Sequence, residues 1–120
     1  MMLSQEKRRY QREHAHYMWG KTKDNNGNEI QFEYGYGSLK EVSREEFVHG
    51  FSAGTGLRVI ETVYDLPLVV GGVIKLGYNE PTCSVLSFKQ NLIDEKQLRF
   101  VPYEKADKVT VITLSAIEGA

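Results

Sequence analysis

The chain has 120 residues, a formal net charge of −1, and acidic and basic side chains in near balance. That length holds one domain with one core and is too short for two comfortable ones. The charge balance excludes a protein that coats nucleic acid with its whole surface, which would be strongly basic, but leaves room for one local basic patch.

The first stretch, residues 4–13, is polar and carries Gln5, Glu6, Lys7, Arg8, Arg9, Gln11 and Arg12. With almost no apolar face to bury, residues 1–13 are expected to form a frayed helix or an arm outside the core. No apolar run of a secretory leader stands at Met1 to Arg9, so synthesis and use in cytoplasm are expected. From His14 to Lys21 the residues Ala15, Tyr17 and Trp19 alternate with His14, His16 and Met18, the period of a first strand. Asp24-Asn25-Asn26-Gly27-Asn28 is a strong turn signal, because Asn and Gly tolerate positive φ. Ile30, Phe32, Tyr34 and Tyr36 then share one face of a second strand, completing a hairpin.

Past Leu39 to Val42, Ser43-Arg44-Glu45-Glu46 has the spacing of a capping box, and Phe47 and Phe51 stand four apart. A short helix is expected here, ended by Gly50, Gly54 and Gly56, so that residues 43–56 make a helix and loop inserted between strands. Leu57, Val59, Glu61 and Val63 alternate with Arg58, Ile60, Thr62 and Tyr64 as a further strand. Pro67 breaks it. Residues 69–76 form a β-branched run kinked at Gly71 and Gly72; the longest apolar stretch, Leu66 to Leu76, is broken by Pro67, Gly71, Gly72 and Lys75 and is too short to span a bilayer as a helix. Three more strands are expected at 82–88, at 98–103 and at 109–114, with a polar connection over 91–97 and a tight turn at Glu104-Lys105-Ala106-Asp107. In the strand over 82–88, Val85 and Ser87 lie on one side and Leu86 and Phe88 on the other. About seven strands separated by turns at short intervals indicate an all-β, mainly antiparallel barrel or sandwich with one short inserted helix. Closure into a barrel would remove the edges that the run over 69–76 offers for aggregation.

No catalytic, cofactor-binding or metal site emerges from the residues. His14 and His16 would share a strand face; Glu13 and the distant His49 are conceivable further ligands, but no Cys, Asp or Glu is placed to complete a closed metal site, and two solvated histidines are expected. Cys83 is the single cysteine, so no internal disulfide forms. With no local base beside it, Cys83 reads as a buried strand residue rather than a nucleophile. The glycines from Gly50 to Gly56 lack the Gly-Lys-Ser/Thr ending of a phosphate loop. Glu45-Glu46 and Asp94-Glu95 are neighbours in sequence and do not converge on a bond as a general acid and base must. Lys7, Arg8, Arg9 and Arg12 form the one basic cluster, close to Tyr10, Tyr17 and Trp19. That mixture suits contact with single-stranded nucleic acid or with an acidic neighbour.

The succession of elements resembles the head-closure proteins of tailed bacteriophages and prophages, the stoppers or minor capsid proteins that join head to tail. The resemblance runs from the aromatic hairpin into Leu39-Lys40-Glu41-Val42-Ser43-Arg44-Glu45-Glu46-Phe47, then to Leu57-Arg58-Val59-Ile60-Glu61-Thr62. It continues through Asp65-Leu66, Val70-Gly71-Gly72-Val73-Ile74-Lys75-Leu76, Leu98-Arg99-Phe100-Val101 and Val109-Thr110-Val111-Ile112-Thr113-Leu114. It implies a noncatalytic virion subunit with a β-barrel fold and no cofactor. Such a subunit is made in the bacterial host cytoplasm and assembles as a ring between the portal or adaptor and the tail, where it helps retain packaged DNA. Membranes have no part in that role. On this reading Phe47, Phe51, Ser52 and Thr55 belong to a partner interface, while Lys7, Arg8, Arg9 and Arg12 contact DNA nonspecifically or an acidic partner. A neighbouring tail-completion protein, or a small OB- or SH3-like barrel that binds nucleic acid, is the alternative.

Overall fold

The computed structural model describes residues 3–13, 18–36, 58–77 and 82–116. Helix α1 (Gln5–Glu13) precedes six strands: β1 (Met18–Lys23), β2 (Glu29–Tyr36), β3 (Arg58–Thr62), β4 (Val73–Leu76), β5 (Thr82–Leu92) and β6 (Lys108–Ala116). They close into a barrel in the order β1-β2-β3-β6-β5-β4, with every neighbouring pair antiparallel. The fold is therefore a small all-β barrel accompanied by a short helix.

Because direction alternates around the ring, the ends of the barrel carry different connections. The β1–β2 turn, the β3–β4 connection and the β5–β6 connection lie at one end, here the turn end. The β2–β3 and β4–β5 connections, the start of β1 and the finish of β6 lie at the other.

The interior follows from alternation. Phe32, Tyr34, Ile60, Ile74, Leu76, Cys83, Val85, Ile112 and Leu114 form the buried cluster, each large aliphatic or aromatic side chain contributing about 1.5–3 kcal/mol on full burial. Cys83 is buried among them, as the sequence indicates. Gly20 on β1 faces this cluster, where a Cβ would stand 3.2 Å from the Phe32 and Tyr34 rings and 3.1 Å from the Lys75 carbonyl oxygen. Tyr64, Leu66 and Leu68, on the connection from β3 to β4, pack against the cluster from the turn end.

Three expectations are corrected. Residues 98–103 form no strand. Glu95–Arg99 and Tyr103–Lys105 are short 3-10 turns instead. Their local period-two pattern lacks a partner strand once six strands have closed the ring, and Pro102 cannot donate to a ladder. The backbone N–H groups of Phe100 and Val101 turn back to the Gln97 carbonyl. Second, of the run over 69–76 only Val73–Leu76 is strand. Gly71 adopts φ +89°, and Gly72 N–H donates to the Val69 carbonyl at 2.9 Å to close a turn. Third, β5 runs on to Leu92 with a bulge between Val85 and Ser87. The extra residue Leu86 re-phases the strand, so Phe88, opposite Ile112, shares the side of Val85, opposite Leu114, rather than that of Leu86.

Candidate functional site

Three surfaces of the barrel carry side chains that folding alone does not require. The first is α1. Ser4 is its N-cap: the hydroxyl accepts from Lys7 N–H at 3.2 Å and donates to Asp107 Oδ1 at 2.9 Å, satisfying a free helix-terminal amide and fixing the helix to the barrel. One turn on, Lys7 Nζ stands 3.5 Å from Asp65 Oδ2. Tyr10 hydroxyl then donates to Glu61 Oε2 at 2.9 Å, and Gln11 Nε2 to Glu33 Oε2 at 3.0 Å. The spacing 4, 7, 10, 11 is one helix face. Four polar side chains therefore tie a helix without an apolar stripe across the β5–β6 connection, the β3–β4 connection, β3 and β2. Glu61, on an outward position of β3, is buried, and a tyrosine hydroxyl is the kind of donor such a carboxylate needs.

This docking divides the predicted basic cluster. Lys7 turns inward, its side chain only 12% exposed. Arg8, Arg9 and Arg12 face outward, and Arg9 pairs with Glu6. Tyr10 is spent on Glu61, while Trp19 remains 49% exposed on β1. The aromatic and basic groups anticipated as one patch thus point in different directions. The predicted interface residues Phe47, Phe51, Ser52 and Thr55, and the histidines His14 and His16, lie outside the described residues.

The second surface is the β5–β6 connection, residues 93–107, a knuckle held from within. Ile93 N–H donates to the Asp107 carbonyl at 3.1 Å to close its base. Asp94 caps the first 3-10 turn by accepting from Lys96 N–H. Gln97 and Asp107 bind reciprocally: Gln97 Nε2 donates to Asp107 Oδ2 at 2.8 Å, and Asp107 N–H donates to Gln97 Oε1 at 2.7 Å. Lys108 Nζ donates to the Ala106 carbonyl and stands 4.6 Å from the Tyr103 ring centroid. On this braced loop Phe100 is 85% exposed, and Leu98 and Tyr103 are exposed beside it. Sequence reasoning missed the surface because the alternation of Leu98, Phe100 and the residues between them imitates a strand. The available signals were Asp94 as an N-cap and Pro102.

The third surface is an apolar groove at the turn end, between β1, β4 and the β3–β4 connection. Pro67, Leu68, Val69 and Val73 line it, with Lys21, Lys23 and Lys75 around it.

Two ionisable groups are displaced from their ordinary behaviour. Asp24 is held below the usual carboxylate range chiefly by the backbone N–H of Asn28, with that of Asn26 adding to it. Burial, and then the nearby Glu33 charge, push the Tyr64 hydroxyl up. Neither belongs to a convergent nucleophile–base pair, and no cluster of His, Cys, Asp and Glu able to hold a metal occurs among the described residues. No helix among them is long and apolar enough to cross a membrane. No protein-family model, curated protein or solved structure matches the chain.

Proposed function

We propose that the chain is a noncatalytic structural subunit of a tailed-phage or prophage virion. It joins the portal or its adaptor to the tail as one member of a ring, and helps to hold packaged DNA in the head. The observation that carries this reading is the succession along the sequence of an aromatic hairpin, the Ser-x-Glu-Glu-Phe segment, β3, the glycine-marked approach to β4 and a final β6, together with the closed barrel that the six strands form. A closed barrel is the fold that the resemblance implies. Closure also makes loops and outward side chains the chief means of association, since every strand already has a neighbour on both sides.

Two surfaces support the role. The braced knuckle offers Phe100 and Leu98 at no ordering cost on binding, which is how a rigid aromatic anchor gains affinity. Arg8, Arg9 and Arg12 on the outer face of α1 offer phosphate contacts without base recognition, sufficient for DNA that is retained rather than read. The nucleic-acid-binding alternative loses support from the geometry, because Tyr10 and Lys7 are engaged with the barrel.

Mixing the purified chain with the portal protein encoded beside it, followed by electron microscopy, tests the proposal. A ring-shaped density capping the portal is expected, and Phe100→Ser is expected to weaken it without unfolding the chain. Absence of association across salt and concentration would overturn the role.

A further inference from the structure

We infer that the apolar groove at the turn end receives the acidic–aromatic segment Glu45-Glu46-Phe47 of a second copy of this chain. This rests on the proposed function only in requiring that copies meet.

The groove is a built feature, with a volume of about 660 Å³, within the range of sites that enclose aromatic ligands. Its wall is shaped by the corrected turn at Gly71 and Gly72. Gly71 N–H donates to the Val85 carbonyl, and Val85 N–H to the Gly72 carbonyl, both at 2.8 Å. Thr22 Oγ1 donates to the Val73 carbonyl at 3.0 Å, tying β1 to the opposite wall. Val69 and Val73 are 58% and 50% exposed, and with Pro67 and Leu68 they line one groove; contiguous apolar surface of this kind, rimmed by polar groups, is what interaction sites use.

Charge selects the occupant. Of the lysines around the groove, Lys21 is neutralised by Glu29 at 3.1 Å. Lys23 and Lys75 have no partner among the described residues. A segment that offers two adjacent carboxylates followed by an aromatic side chain fits two free ammonium groups beside an apolar wall. Glu45-Glu46-Phe47, with Phe51 four residues further on, is that pattern in this sequence. The knuckle fits less well, because Lys96 and Arg99 flank its Leu98 and Phe100 and would meet the lysines.

A contact between copies is the form that builds an assembly. The strands flanking this segment meet at the barrel end opposite the groove, where β2 finishes at Tyr36 and β3 starts at Arg58. A segment held between them and bound in the groove of a second copy gives a head-to-tail contact, which closes into a ring when the rotation per subunit divides a full turn.

The test uses the full chain and a synthetic peptide of residues 41–53, followed by amide NMR shifts. The peptide should move the amides of Thr22, Val69 and Val73. Lys23→Glu with Lys75→Glu should weaken it about tenfold, and a peptide carrying Glu45→Lys and Glu46→Lys should recover affinity for that reversed groove. No shift in the groove, or an affinity indifferent to both reversals, would overturn the inference. So would groove shifts caused by Glu45→Lys and Glu46→Lys in the intact chain that do not depend on concentration, because they would mean the segment folds back on its own barrel. Failure of the portal experiment with peptide binding intact would refute the virion role alone, and the converse would refute the groove alone.

Discussion

Two glycines show how single positions decide the barrel by different means. Gly20 has ordinary backbone and is needed for space, since a Cβ would press on the Phe32 and Tyr34 rings and on the fixed Lys75 carbonyl. Gly27, at φ +83°, has open space around it and is needed for its backbone. Gly20→Ala is expected to cost about 1–3 kcal/mol as overpacking, more than the roughly 0.5–1 kcal/mol that alanine returns by ordering the unfolded chain less expensively. Gly27→Ala is expected to cost about 1–2 kcal/mol through left-handed strain, whereas Gly27→Asn should be nearly silent. Urea denaturation of the three variants checks both, and equal losses for Gly27→Ala and Gly27→Asn would contradict the backbone argument. The same turn carries a pH dependence. The folded-state pKa of Asp24 is depressed by the N–H groups it accepts. Its contribution is therefore present above the ordinary aspartate range and is lost as pH falls through the lower, folded value. The amide shifts of Asn26 and Asn28 should titrate below a free aspartate, and a midpoint at or above it would refute the assignment.

At the scale of elements, α1 is the informative case. Its composition speaks of a helix with nothing apolar to bury, and the structure docks it through the polar side chains of Ser4, Lys7, Tyr10 and Gln11. Net hydrogen bonds are worth about 0.5–1.5 kcal/mol each, so the four contacts through Ser4, Lys7, Tyr10 and Gln11 hold the helix modestly and cooperatively. Tyr10→Phe is expected to destabilise by about 1–3 kcal/mol, because the buried Glu61 carboxylate loses a donor. The α1 amides should then exchange with solvent much faster than the β6 amides, as local opening rather than global unfolding. Hydrogen exchange measures this directly, and equal acceleration in both elements would show that the helix is part of the core after all. The partners of α1 were not legible in the sequence. Glu33, Glu61, Asp65 and Asp107 are scattered over the chain, and only barrel closure brings them under one helix face. The hairpin of β1 and β2, by contrast, follows from the alternation of Ile30, Phe32 and Tyr34 and the Asn–Gly turn. Residues 98–103 have the same local period, yet they fold otherwise, because a strand needs a partner as well as a pattern. The bulge at Leu86 was hidden for a related reason: one extra residue leaves composition unchanged while reversing every face after it.

For the whole molecule, closure is the organising fact. Six antiparallel strands bury the apolar alternation inside and each has a neighbour on both sides, so the proposed association would run chiefly through built surfaces: the knuckle with Phe100, the lysine-rimmed groove and the arginines of α1. The barrel architecture was legible from strand periodicity and turn spacing. The groove was not, since it depends on residues distant in sequence meeting on one wall; the arginines of α1 stood out as a basic cluster, and the knuckle was hidden by its strand-like period. These features suit a subunit whose work is to fit between larger bodies. The most direct measurement is the phenotype of particles assembled without the chain. The account predicts heads that package DNA, lose it, and lack tails until the purified chain is added back. Tailed, DNA-retaining particles formed in its absence would contradict it.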